Sequence, residues 1–291
     1  MMEDTQEKNF PTGGKIEKIA FVVLGLVMFL LPFFFIPNSA VFVAVSKGLL
    51  VYLGVVIALA LFFISLIKEA KISLPKNLFS LSVIILPIVF LVSALVKGGG
   101  LVTYLGYSFE LGTVTSIFFG ALLILLVAQV FRSKDRIRLS YVAFFASFVV
   151  VSLFEIIKVF FGGSLLSFGI FTNIVSNTIG NWSDLGVFFG ASTIFSLITL
   201  EMLKLEGAKK IAVYVALFVS LVMVAVVNFI TAWIVVGIFA LVLFLYFVSF
   251  ETVPAGSGDE NGQNSRKISW NSLGVILIAF VFAFFWNFSW R

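Results

Sequence analysis

The 291-residue chain contains neither cysteine nor histidine. Disulfide cross-links, thiolate nucleophiles, zinc or haem held by imidazole, and a histidine general base are therefore excluded within it. Any acid–base chemistry falls to carboxylates, lysine or tyrosine. The lack of cysteine fits an oxidising and a reducing compartment equally. Charge is scarce as well, at 11% of residues against roughly a quarter in ordinary soluble domains. With 61% hydrophobic residues and a mean hydropathy of +1.19, such a chain cannot surround a soluble core with water-compatible surface. The sequence also lacks a Gly-rich nucleotide loop, an internal repeat and a heptad array, so no cofactor or metal is expected and a single bundle is the default.

What the chain does have is length in its apolar runs. Nine of them, near Ile19–Ile36, Ala40–Ile67, Leu78–Val96, Thr113–Phe131, Leu139–Phe161, Leu185–Leu203, Ile211–Phe229, Ala232–Phe250 and Ser272–Trp290, approach or exceed the span of a helix through ~30 Å of hydrocarbon. The predicted class is all-α, a polytopic transmembrane bundle of about nine helices. A barrel would alternate apolar and polar residues in segments of about ten, whereas Val114–Val130 is apolar on all sides. The first run is too long for the apolar part of a secretory signal and a second follows at once, so it reads as an uncleaved helix.

Basic residues fix the orientation. They occupy alternate gaps: Lys8, Lys15 and Lys18; then Lys68, Lys71 and Lys76; Arg132, Lys134, Arg136 and Arg138; Lys204, Lys209 and Lys210; Arg266 and Lys267. Only Lys47, Lys97, Lys158 and Arg291 of the 19 fall elsewhere. By the positive-inside rule the amino terminus is cytoplasmic and the chain is a multi-pass membrane protein. The same placement explains the pI near 9.4 by contact with membrane lipids, and no nucleic-acid partner is expected. The predicted organisation is a cytoplasmic tail over 1–18, an eight-helix bundle over 19–250, a polar, disordered linker over 251–270 that includes Glu251–Asn264, and a ninth helix over 271–291. The tight gaps Pro37–Ser39 and Ile230–Thr231 predict that runs one and two, and runs seven and eight, form antiparallel hairpins.

Two longer gaps lie on the opposite, outer side. One, Lys97–Gly112, carries Gly98-Gly99-Gly100, Tyr104, Tyr107 and Glu110; the other, Gly162–Asp184, carries Asn173, Asn177, Asn181, Trp182 and Asp184. Trp182 is predicted at headgroup depth. Ser183 and Asp184 are predicted to cap the sixth membrane helix, and Gly186 and Gly190 to mark a close helix contact. Lys47, Glu155 and Lys158 fall inside membrane runs, in the outer half, with Glu155 and Lys158 three residues apart and able to pair. One account has both lysines snorkel to the outer headgroups. The other joins Lys47, Lys97, Glu155 and Lys158 with Asn177, Asn181, Trp182 and Asp184 in an outward-facing cationic pocket for an anionic, lipid-anchored substrate such as a polyprenyl-diphosphate-linked glycan.

The order of these features resembles the membrane half of the bacterial O-antigen ligase and polymerase superfamily. The residues that carry the resemblance are Ile16-Glu17-Lys18 before a Phe- and Leu-rich helix ending in proline, the Ser46-Lys47 step, and Asn177-Thr178-Ile179-Gly180-Asn181-Trp182-Ser183-Asp184-Leu185-Gly186. The resemblance implies a bacterial inner-membrane protein, multi-pass, that takes part in glycan transfer on the outer face. Such enzymes have about twelve helices and a large external loop in which basic residues hold the diphosphate and, in ligases, a histidine takes part. This sequence stops at Arg291 before any such loop, so no catalytic residue carries over; an amino-terminal fragment and a divergent member lacking the chemistry both fit, and residues 1–291 alone are expected to be inactive. A membrane transporter and a non-enzymatic membrane scaffold are the rival functions. A transporter predicts broken helices with midplane charges and a repeat between halves; a scaffold predicts no catalytic set.

Overall fold

A computed structural model describes residues 14–38, 41–69, 78–106, 112–173, 175–250, 252–253, 265–266 and 269–289. Tyr107 and Glu110, the basic residues Lys8, Lys71, Lys76, Lys267 and Arg291, and most of the linker lie outside them. The chain divides into two compact units, residues 1–174 and 175–291. The boundary falls inside what the sequence reads as one bundle.

In the first unit, α1 (Lys15–Leu30) begins before the predicted run and stops six residues short of Ile36. Pro32 supplies the reason, since it has no N–H for the helical ladder and its ring opposes the carbonyl four residues back. The chain turns instead, and the N–H groups of Phe33 and Phe34 both donate to the Leu30 carbonyl, at 3.0 and 2.8 Å. α2 (Val43–Glu69) packs along α1 as the predicted hairpin. There follow α3 (Leu78–Val96), the short α4 (Leu101–Leu105), α5 (Val114–Val130) and α6 (Lys134–Phe161). The last starts inside the basic gap, five residues before the apolar run, because Ser133 caps it by accepting the Arg136 N–H at 3.3 Å. Phe21 and Leu24 of α1, Val55 and Ala58 of α2, and Leu126 and Val130 of α5 form the core, with α6 against α1. The start of α1 and the α5–α6 turn share one end of this unit, where Arg136 pairs with Glu17, donates to Val130 O at 2.6 Å and lies over the Phe21 ring.

The second unit centres on α7 (Trp182–Met202), which packs against both α8 (Gly207–Val227) and α9 (Ile230–Phe250). The sequence predicts α8 and α9 as a hairpin. They are joined by a tight turn with Asn228 in the left-handed region at φ 55°, but their extensive contacts are with α7 and, for α9, α10 (Trp270–Ser289). Composition explains why α7 takes the middle. Its buried positions include Gly186, Gly190, Ser192, Thr193, Ser196 and Thr199, small groups that let neighbouring backbones approach on two sides. Thr193 donates to Ser220 of α8 at 2.9 Å, a bond of the kind worth roughly 0.6 kcal/mol between membrane helices. At one end of this unit Asn271 of α10 joins Glu201 of α7 and Tyr214 of α8, at 2.8 and 3.2 Å. At the other, the Trp182 indole donates to Val227 O at 3.0 Å. Within the polar segment, β1 (Thr252–Val253) pairs antiparallel with β2 (Ser265–Arg266).

Six helices, α2, α3 and α6 to α9, are long and apolar enough to cross a membrane; α5 and the stretch Trp270–Phe282 are shorter apolar helices. Their outward faces confirm the medium. On α3, Leu81, Ile84, Ile85, Leu86, Ile88 and Val89 are all exposed, a surface that water would not tolerate and lipid requires. The chain is an integral, multi-pass membrane protein, and among the described residues its regular structure is helical apart from the β1–β2 pair.

Candidate functional site

The site residues predicted from sequence fall in both units. Lys47, Lys97, Glu155 and Lys158 belong to the first and Asn177, Asn181, Trp182 and Asp184 to the second.

Lys47 stands in the second turn of α2, half-buried, and its ammonium donates to Leu31 O and Pro32 O, at 2.5 and 3.1 Å. Those carbonyls lie just past the last turn of α1, beyond its helical ladder, so the cation meets carbonyl acceptors at the negative end of the helix dipole. The preceding residue completes the clasp. Ser46 Oγ accepts the Ile36 N–H at 3.1 Å, so the Ser46-Lys47 step fixes both sides of the α1–α2 connection.

Lys158 does not snorkel. It is 0% exposed, and its ammonium donates to Asn173 O at 2.9 Å while lying 5.9 and 5.8 Å from the ring centroids of Phe154 and Phe171. Carbonyl and ring faces together replace part of the hydration that a buried ammonium loses. Segment 162–173 folds tightly to deliver that carbonyl: a Cβ on Gly163 would sit 2.7 Å from Thr172 O, and only glycine allows the approach. Phe171 also meets Phe35 edge-on at 4.8 Å, and through that ring the α1–α2 connection held by Lys47 touches the segment held by Lys158. Aromatic side chains thus join the two lysines' surroundings, a link that the sequence signals only as an abundance of phenylalanine.

Glu155, one turn before Lys158 on the same buried face of α6, is 1% exposed. Its Oε1 and the hydroxyl of Ser152, a further turn back, have no hydrogen-bond partner among the described residues. Ser152 escaped the sequence reading; its i, i−3 spacing from Glu155 was the available signal. Lys97 is exposed at the end of α3, a helix that packs on α5.

In the second unit the polar residues build the loop into α7. Asn177 is buried; its Oδ1 accepts the N–H groups of Ile179 and Gly180 at 3.0 and 2.9 Å, and its Nδ2 donates to Val175 O at 3.2 Å. Asn181, not Ser183, is the N-cap, and the Asp184 carboxylate reaches back to accept the Asn181 N–H at 3.2 Å. α7 therefore begins three residues earlier than its apolar run, and Trp182 ties that start to the end of α8. Among the described residues no three acidic side chains come together in a way that would hold a metal ion. No family model, curated protein or solved structure matches the chain.

Proposed function

We propose that this is a bacterial inner-membrane protein of nine crossings, with its amino terminus in the cytoplasm, that handles a polyprenyl-diphosphate-linked glycan at the outer face in the manner of the front half of an O-antigen ligase or polymerase. The observation that carries the proposal is the placement of cations in the first unit. Lys15, Lys18, Arg132, Lys134, Arg136 and Arg138 gather at the end marked by the Glu17–Arg136 pair, whereas Lys47 is drawn onto carbonyls of the α1–α2 connection and Lys158 onto Asn173 O in the segment that touches it. A half-buried ammonium such as that of Lys47 attracts a diphosphate more strongly than one in bulk water, because less solvent screens it. The orientation follows from the bias of basic residues. α1 and α5, at 16 and 17 residues, supply about 24–26 Å each and cross with help from their flanking turns.

Sidedness is tested directly, since the chain has no native cysteine to remove. Asp135→Cys and Glu206→Cys are expected to be shielded from an impermeant thiol reagent in intact cells, and Gly100→Cys and Ser183→Cys to label. All four positions are exposed, and no atom crowds a Cβ at Gly100. The opposite pattern, with every site reactive after lysis, overturns the orientation.

Function is tested by binding. Wild-type protein in nanodiscs is expected to bind a polyprenyl-diphosphate oligosaccharide, and Lys47→Gln to weaken that binding about tenfold with a shallower salt dependence, the loss of one charge-assisted contact of ~1.4 kcal/mol. Glutamine retains a donor for the Leu31 and Pro32 carbonyls, so the clasp survives. No binding, or equal binding by the variant, removes the proposal.

A further inference from the structure

An apolar cleft of about 490 Å³ opens between α3 and α5 in the first unit. Its α3 wall runs from Val83 through Ile84, Pro87 and Ile88 to Leu91, and its α5 wall from Val114 to Leu125. Pro87 stands inside α3 without the N–H that the helical ladder would use, and it lines the groove. The α3 wall rises by about 12 Å and the α5 wall by about 16 Å, close to half of the ~30 Å hydrocarbon thickness. That is the reach of a chain belonging to one leaflet.

The charge at the mouth selects the head of the occupant. α3 ends at Val96 and is followed by the exposed Lys97, six residues or about 9 Å beyond Leu91. α5 begins at Val114 on the same connection, with Thr113 as its N-cap and no acidic residue in its first turn. Val114 and Thr115 of that first turn line the cleft. An exposed lysine and the start of a helix with no acidic residue in its first turn therefore stand towards one end of an apolar slot, each favouring a negative group there. We infer that the α3–α5 cleft holds an acyl chain of an anionic glycerophospholipid whose phosphate rests at Lys97 and the start of α5. This is independent of the glycan proposal, which rests on Lys47. It also explains a lysine placed against the positive-inside bias. The short cleft suits a leaflet-length acyl chain better than a long polyprenyl tail.

The experiment is native mass spectrometry of the full chain released from membranes containing equal amounts of phosphatidylglycerol and phosphatidylcholine. Retention of phosphatidylglycerol about fivefold above phosphatidylcholine is expected, the preference that one lysine near an anionic headgroup provides. Lys97→Gln is expected to abolish the excess by removing the head contact, and Ile88→Trp by filling the slot. Both positions are exposed, so both variants should fold, which thermal unfolding checks. Absence of an excess in wild type, or its survival in either variant, overturns the inference. So does displacement of phosphatidylglycerol by an equimolar polyprenyl diphosphate, which would make the long-chain lipid the occupant.

Discussion

Replacing Lys158 with methionine is expected to destabilise the protein by about 3–5 kcal/mol, the cost of leaving the Glu155 carboxylate buried after the neighbouring buried cation is removed. Methionine keeps an unbranched stem between Phe154 and Phe171, so the change removes the charge and the bond to Asn173 O while preserving most of the packing. Glu155, at 1% exposure and one helical turn away, then faces an apolar surrounding without its cation. Glu155→Leu alone strands the ammonium in the converse way, although Asn173 O and the two rings still hold it, and a smaller loss is expected. The double variant, Glu155→Leu with Lys158→Met, should recover most of the loss, since buried pairs replaced together by apolar residues are often neutral or stabilising. Unfolding in detergent, read for all four proteins of the cycle, measures the coupling. Single variants within about 0.5 kcal/mol of wild type would show that the pair is solvated, in conflict with its burial.

The same pair marks where the sequence was readable and where it was not. Helix positions followed the apolar runs, because in lipid a backbone must satisfy itself and the helix is the local solution. Helix ends did not follow them: Pro32 cut α1 short, Ser133 opened α6 inside a charged gap and Asn181 opened α7 three residues early, since termini obey capping chemistry and not hydropathy. Spacing alone put Glu155 and Lys158 on one face of α6. It could not say that the ammonium turns to Asn173 O instead of rising to the surface, because that depends on how residues 162–173 fold back. Nor could it supply the aromatic bridge from Phe35 to Phe171, which depends on packing between distant segments. In the second unit, short connectivity argued for α8 beside α9. Small residues on two sides of α7 decided otherwise.

Those small residues yield an expected pair of opposite results. A Cβ added at Gly186 would lie 3.0 Å from Val227 Cγ1 and 3.1 Å from Phe229 Cβ, closer than side-chain contacts tolerate without a shift, whereas at Gly190 the nearest atoms, Val236 Cγ2 and Ala232 Cβ, are at 3.5 and 3.6 Å, an ordinary contact. Gly186→Ala is therefore expected to cost about 1–2 kcal/mol by overpacking the end of α8. Gly190→Ala should be neutral or gain up to ~0.5–1 kcal/mol from the smaller backbone entropy of alanine in a helix. The strain at Gly186 has a second consequence, because Val227 is also the residue whose carbonyl accepts the Trp182 indole. Pushing the end of α8 away loosens that bond and with it the Asn181–Asp184 cap and the Asn177 turn that follow one another into α7. Amide hydrogen exchange at residues 177–184 should accordingly quicken in Gly186→Ala and stay unchanged in Gly190→Ala. Equal effects of the two substitutions on stability and exchange would mean that α7 is not clasped at its start by α8, and that the order of this loop comes from its own hydrogen bonds alone.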